Sequence, residues 1–282
     1  MNVVIKNQRD KSTTGEKLRR DALVSDGTLM LLDFSNGGTT FEYNLSKGIY
    51  DLARDAAFDL DVETNPVLKS KTVIPDLTAG KGLPGISLGA TTVTDYTAGL
   101  LIEDVSEYLY LKQPHALLFF WVRIDLSRPN IASSYIAKSQ DGGTAGNISI
   151  QAPSSVNPYV SVRFADKITA ANLNIGSTYA QIGAEFINGT TANKLYVNGV
   201  FSANGTTVNG GFLQPTGDKL VALGARGAAG VACPLNLYRI GIEDLDISGR
   251  TASEVMRKDW EYCTQTGEYL NKPTKRPFID VA

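Results

Sequence analysis

The sequence predicts an all-β protein, a large antiparallel sandwich, on three observations. Asn-Gly pairs punctuate residues 188–210 at Asn188-Gly189, Asn198-Gly199, Asn204-Gly205 and Asn209-Gly210, and Asn-Gly supplies the positive φ values that tight hairpin turns require. The apolar segments are short runs bounded by turn residues, the length and punctuation of strands. Finally, 282 residues with 43% hydrophobic and 20% charged side chains suit one globular sandwich of about 200 to 250 residues with short extensions.

The first strand is expected within Asp26 to Phe34, an apolar run between Asp26-Gly27 and Asn36-Gly37-Gly38. From Asn65 to Gly89 periodicity is weak, and Pro66, Pro75 and Pro84 argue for long connections without central strands. Strands follow at Leu109 to Leu111 with its flanks and at Ala116 to Ile124. In the latter, Leu117, Phe119, Trp121 and Arg123 alternate with Leu118, Phe120, Val122 and Ile124, so both faces are covered. The Asn-Gly turns join Tyr179 to Ile187, Lys194 to Val197 and Val200 to Ala203 into an antiparallel meander, and Lys219 to Leu223 and Leu235 to Ile242 add two further strands.

A single helix closes the body. Thr251-Ala-Ser-Glu254 is a capping box, in which hydroxyl and carboxylate satisfy each other's backbone amides. Ala252, Met256, Trp260 and Cys263 then form one apolar stripe. Cys263 on that stripe reads as core, with a Cys233 to Cys263 disulfide as the alternative.

Charge is unevenly spread. Residues 1–23 carry Lys6, Arg9, Lys11, Lys17, Arg19 and Arg20 against three acids, a net of +3, and residues 266–282 carry +1, so the total of −2 leaves −6 on residues 24–265. This divides the chain into an N-terminal arm (1–23), a sandwich (24–265) and a C-terminal extension (266–282), with the six basic residues of the arm as candidate assembly contacts. The near-zero total provides no field for wrapping nucleic acid. The longest apolar run, Ala116 to Val122, is far short of the about 20 residues that span a bilayer, so no membrane insertion is expected. No stretch at the start reads as a secretory signal, so the Asn44, Asn147, Asn188 and Asn204 sequons read as turn chemistry and synthesis as cytosolic.

One histidine, His115, and two cysteines leave almost nothing for a zinc site or a His-based catalytic set. No cofactor or metal is assigned. His115, after Pro114 and before an apolar strand, reads as a strand-entry residue.

Four stretches, Asp26 to Phe34, Leu117 to Asp125, Ala180 to Val200 and Leu235 to Val255, resemble the concanavalin A-like, laminin-G-like jelly roll. Phe119-Phe-Trp-Val-Arg-Ile-Asp125 resembles one of its internal strands. Lys194-Leu-Tyr-Val-Asn-Gly-Val200 is similar to its hairpin ending in Tyr-Val-Asn-Gly, and Arg239 to Ile247 with the Thr251 to Val255 helix start is similar to its last strand and terminal helix. The resemblance implies two curved antiparallel sheets face to face, with Phe119, Trp121, Phe186 and Tyr196 partly in the core.

Members of that superfamily include lectin-like modules, glycoside-cleaving enzymes, adhesion modules and virion components. Retaining hydrolysis needs two carboxyl groups about 5 Å apart. Glu243-Asp-Leu-Asp246 puts its first two acids on opposite faces of a strand, and Glu103-Asp-Val-Ser-Glu107 has no aromatic platform, so no catalytic residue is expected. Sugar sites combine an aromatic face with amide and carboxylate groups on loops. Asp141 and Asn147, Asn157 and Tyr159, and Arg226 stand on loops of that kind and are the candidate ligand-binding residues; calcium at Asp141 or Asn147 is an option the spacing does not single out. The expected function is a structural protein of a bacteriophage or prophage virion, head- or tail-decorating or fibre-like. It is expected to be homo-oligomeric, to contact other virion proteins through the arm, and to present a lectin-like surface to bacterial polysaccharide. The alternatives are a free carbohydrate-binding or adhesion module and, third, a polysaccharide-degrading enzyme.

Overall fold

The computed structural model describes residues 21–33, 53–62, 67–69, 75–76, 85–88, 99–101, 103–124, 135–139, 149–151, 159–164, 167–172, 180–205, 211–212, 221–223 and 235–264. Of these, fifteen stretches are strands: β1 (Thr28–Asp33), β2 (Val67–Lys69), β3 (Pro75–Asp76), β4 (Gly85–Leu88), β5 (Gly99–Leu101), β6 (Ala116–Ile124), β7 (Tyr135–Ser139), β8 (Ser149–Gln151), β9 (Tyr159–Phe164), β10 (Lys167–Asn172), β11 (Ala180–Phe186), β12 (Lys194–Val197), β13 (Val200–Asn204), β14 (Val221–Leu223) and β15 (Leu235–Asp244). Four short helices interrupt them: α1 (Arg54–Asp59), α2 (Glu103–Lys112), α3 (Leu245–Ser248) and α4 (Ala252–Thr264).

The strands form two antiparallel sheets. One runs β13-β12-β11-β6-β15-β4-β3, with β1 also paired to β15, and the other runs β10-β9-β8-β7-β14-β5-β2. In the first sheet β6 is central, paired with β11 along Ala180↔Val122 to Phe186↔Ala116 and with β15 from Leu235↔Ile124 to Asp244↔Ala116. All six residues of β1 are buried, as expected of a strand covered on both faces. The hairpin between β12 and β13 turns at Asn198 (φ 50°) and Gly199 (φ 78°), the two consecutive positive φ values that Asn-Gly favours. Gly199 has a second constraint, since a Cβ there would press on the Trp260 side chain.

Directly paired residues share a sheet face. The register therefore lays out three rows on one face of the first sheet: Gln181, Trp121, Arg239 and Asp33; then Gly183, Phe119, Gly241 and Leu31; then Glu185, Leu117 and Glu243. Helix α4 lies over this face. The Met256 thioether occupies the space above Gly183 and the Phe119 ring the space above Gly241, so a Cβ at either glycine would overlap its neighbour. Leu31, Leu117, Phe119, Tyr196, Ala252, Val255 and Met256 close one apolar cluster between sheet and helix. The other face, with Leu118, Phe120, Val122, Ile182, Ala184, Ile240 and Ile242, is buried as well. The capping box forms as expected: the Glu254 amide donates to Thr251 Oγ1 (3.2 Å) and the Thr251 amide to the Glu254 carboxylate (2.8 Å).

Several expectations are corrected. Leu109 to Leu111 belongs to helix α2, not to a strand; Val105, Tyr108 and Leu109 are buried while Leu111 is exposed, which is the i, i+3, i+4 period of a helix face. The acids Glu103 to Glu107 open the same helix. Helix α4 is accordingly joined by three others. Within Asn65 to Gly89 the chain forms β2, β3 and β4, with Pro75 on the sheet's terminal strand, where a missing amide hydrogen breaks no ladder. The body also reaches further towards the N-terminus: Asp21 and Leu23 are buried in it.

Candidate functional site

The ligand-binding residues expected from sequence, Asp141, Asn147, Asn157 and Arg226, lie outside the described residues, as do Lys6, Arg9, Lys11, Lys17, Arg19 and Arg20 of the arm. Tyr159 begins β9, where only its backbone pairing with Asn172 is described. The structure instead brings together two polar clusters on the α4 side of the first sheet, one sealed and one open to solvent.

The sealed cluster surrounds Arg239, whose side chain is completely buried. Its Nε donates to Asp259 Oδ1 (2.7 Å), Nη1 to Asp33 Oδ2 (3.0 Å) and to Asp21 Oδ2 (2.9 Å), and Nη2 to Asp21 Oδ1 (3.0 Å). The guanidinium carbon lies 5.4 Å from the centre of the Tyr262 ring, within cation–π range. Asp259 on α4 also accepts from Trp121 Nε1 and from Gln181 Nε2, both at 2.7 Å. Burial pulls the Arg239 guanidinium down, but the charges of Asp21, Asp259 and Asp33 outweigh it and hold it above its ordinary range. For Asp259 burial is the largest effect and raises the carboxyl, against the pull of Arg239, Gln181 and Trp121. Cys263 is a free thiol in the same pocket, pushed up by burial and by Asp259. That combination makes it inert, in line with its expected core role. These groups fasten β1, β6, β11, β15 and α4 to one another and offer no access to a ligand.

The open cluster centres on Glu185, at the end of β11. Its Oε1 is 2.7 Å from His115 Nε2 and accepts from Lys194 Nζ at 3.2 Å, and its Oε2 accepts from the Tyr196 hydroxyl at 2.7 Å. Burial opposes ionisation of Glu185, but the His115 and Tyr196 hydrogen bonds and the Lys194 charge prevail and hold its carboxyl below the usual range. Burial and Glu185 together push the Tyr196 phenol up. The Glu185 side chain is 3% exposed, whereas His115 and Lys194 are 28% and 34% exposed. His115 sits at the entry to β6, as its sequence position suggests; its amide donates to Asp246 and its carbonyl accepts from Leu245.

The acids of Glu243-Asp-Leu-Asp246 are each engaged. Glu243 pairs with Arg250, and Asp244 caps α3 while accepting from the Tyr108 hydroxyl at 2.8 Å. Among the described residues no group of three or more His, Cys, Asp or Glu side chains is arranged to hold a metal ion. No described helix is long and apolar enough to cross a membrane.

Sequence reasoning passed over Arg239 and Glu185 because each is a single charged residue within a strand and belongs to no motif, and because the bulge between Leu237 and Arg239 changes which residues of β15 share a face. The signal was in the partners: Trp121 pairs with both Gln181 and Arg239, and the amphipathic α4 needs a sheet face to cover.

No protein-family model matches the chain, and no curated protein matches it in sequence. Solved structures do resemble it in fold. The binding domain of botulinum neurotoxin DC in complex with SialylT is 9% identical, with a TM-score of 0.54 over 84% of this chain and 51% of that one. The same toxin's binding domain in complex with rat synaptotagmin II is 11% identical, with a TM-score of 0.53 over 84% of this chain and 52% of that one. The Trypanosoma rangeli sialidase in complex with 2,3-difluorosialic acid is 13% identical, with a TM-score of 0.54 over 84% of this chain and 33% of that one. The chain thus spans about half the length of the toxin domains and a third of the sialidase chain. What is shared at these identities is the fold, an antiparallel β architecture of the kind the sequence predicts.

Proposed function

We propose that the chain is a carbohydrate-binding β-sandwich of the concanavalin A-like, laminin-G-like jelly-roll type, without catalytic activity, carried as a structural protein of a bacteriophage or prophage virion. The observation that carries the binding reading is the fold it shares with a toxin binding domain and a sialidase whose structures hold SialylT and 2,3-difluorosialic acid. The order of strands in two antiparallel sheets supports the jelly-roll assignment. The absence of catalysis is supported by the engagement of Glu243, Asp244 and Asp246 in structural contacts. The virion role rests on the basic residues of the arm, which fit anchoring to neighbouring virion proteins or to other copies of the chain while the sandwich faces the bacterial surface.

Screening the protein against bacterial surface polysaccharides and oligosaccharides tests the binding reading. It predicts at least one specific saccharide, and no hit across the panel overturns it. Incubation with capsule or cell-wall glycans should release no reducing ends. Deleting residues 1–20 tests the anchor and spares Asp21 and Leu23, which belong to the body. Particle association should be lost while the thermal transition is kept; unchanged association leaves a free carbohydrate-binding or adhesion module as the better reading.

A further inference from the structure

The register of the β12–β13 hairpin extends the open Glu185 cluster into a surface. Lys194 pairs with both Glu185 and Asn204, and Tyr196 pairs with both Gly183 and Phe201, so these side chains share the α4 side of the sheet. Strand β13 ends that sheet's order, and α4 does not reach over it fully: Phe201 is 46% exposed and Asn204 is exposed. The Phe201 ring meets the Tyr196 ring edge-on, with centroids 6.1 Å apart, so an apolar ring face stands at the rim of the Glu185, His115 and Lys194 cluster.

We propose that this ledge is the saccharide-binding site of the chain and that it takes an uncharged pyranose. The proposal rests on the carbohydrate-binding reading above and adds its place and its ligand class. The Phe201 ring offers a flat apolar surface for the C–H face of a sugar. Among the described contacts the Lys194 ammonium directs one of its three hydrogens at Glu185, and the Asn204 amide provides both donor and acceptor for hydroxyl groups. Lys194 and Tyr196, two residues apart on β12, are about 7 Å apart, and the bulge in β13 sets Asn204 and Phe201 opposite them, so Phe201 and the Lys194–Asn204 pair are spaced for one or two sugar rings. Charge selects the class. The Lys194 ammonium is already paired with the Glu185 carboxylate, which His115 Nε2 also contacts, so a sialic or uronic acid finds this ammonium engaged and meets Glu185 behind it.

The test is a saccharide panel of neutral and acidic members, read with the full chain and with Phe201→Ala, Asn204→Asp and, as a control, Phe58→Ala, which removes an exposed aromatic from α1. The expected result is binding to a neutral saccharide, weakened about tenfold or more by Phe201→Ala and by Asn204→Asp and unchanged by Phe58→Ala, with equal melting temperatures. Binding should change less than about twofold between low and high salt, as fits an uncharged ligand. Wild-type binding that survives both ledge variants overturns the site and leaves the carbohydrate reading standing. Binding confined to acidic saccharides overturns the ligand class, and no binding by the wild type to any saccharide overturns both.

Discussion

Trp121 and Trp260 stack with ring centroids 5.1 Å apart and planes inclined by 9°, joining the middle strand of the sheet to the helix laid across it. Trp121 also donates its indole hydrogen to Asp259, one residue before its stacking partner. Helix α4 is therefore held to β6 by an apolar and a polar contact from the same side chain. Trp121→Phe keeps most of the ring but leaves the buried Asp259 carboxylate one donor short. Chemical denaturation should show a loss of about 1–3 kcal/mol, and circular dichroism should lose the Trp–Trp coupling altogether, since Trp260 is then the one tryptophan left.

Arg239 is the single cation that three buried aspartates share among the described contacts. Arg239→Met fills similar volume but removes the cation those carboxylates share, and a loss of about 3–5 kcal/mol is expected, because breaking a buried pair leaves buried charge that its remaining hydrogen bonds do not neutralise. Asp21→Asn should be milder, since it keeps a hydrogen-bond acceptor for the guanidinium. Equal denaturation midpoints for the two variants would contradict this ordering.

Gly241 lies under the Phe119 ring. Gly241→Ala should cost about 1–3 kcal/mol through overpacking. The same substitution at Gly249, whose Cβ would meet nothing within 4 Å, should act only through its positive φ of 64°. Gly241→Ala paired with Phe119→Leu should recover part of the loss, which thermal melts of the double variant measure.

The folded-state carboxyl of Glu185 titrates below its ordinary value of 4.5. A carboxyl lowered on folding adds stability that is fully present above its unfolded value and is lost as pH falls through the folded one. Stability measured against pH should therefore decline below about 4.5 in part through this group. Glu185→Gln should flatten that limb while lowering stability at neutral pH.

Cys263 is buried with its thiol pushed up. In native protein it should resist maleimide or disulfide reagents for as long as the global fold holds, and react on denaturation at the rate of a free thiol. Prompt labelling of Cys263 itself under native conditions, separated from Cys233 by peptide mapping, would mean that α4 opens locally.

The sequence by itself determined what depends on neighbours along the chain. Asn198-Gly199 sets the hairpin turn, Thr251 and Glu254 start α4, and the run Ala116 to Ile124 is apolar on both faces and becomes the central strand. In each case the deciding physics acts within a few residues: positive φ, reciprocal amide capping, period-two burial. Leu109 to Leu111 misleads as a strand because three residues do not distinguish the two periods; Val105 and Tyr108 do.

Only the tertiary structure decided which alternating polar residues face solvent. Gln181, Glu185 and Arg239 belong to no motif that marks them as buried, yet α4 closes over the face they share, so Arg239 acquires partners 206 and 218 residues earlier in the chain, Asp33 and Asp21. The same closure covers β13 only in part, leaving Phe201 half exposed beside Tyr196. Where a helix ends over a sheet is set by side-chain volumes at Gly183, Gly241, Met256 and Phe119 meeting across that distance, and no local pattern encodes that fit.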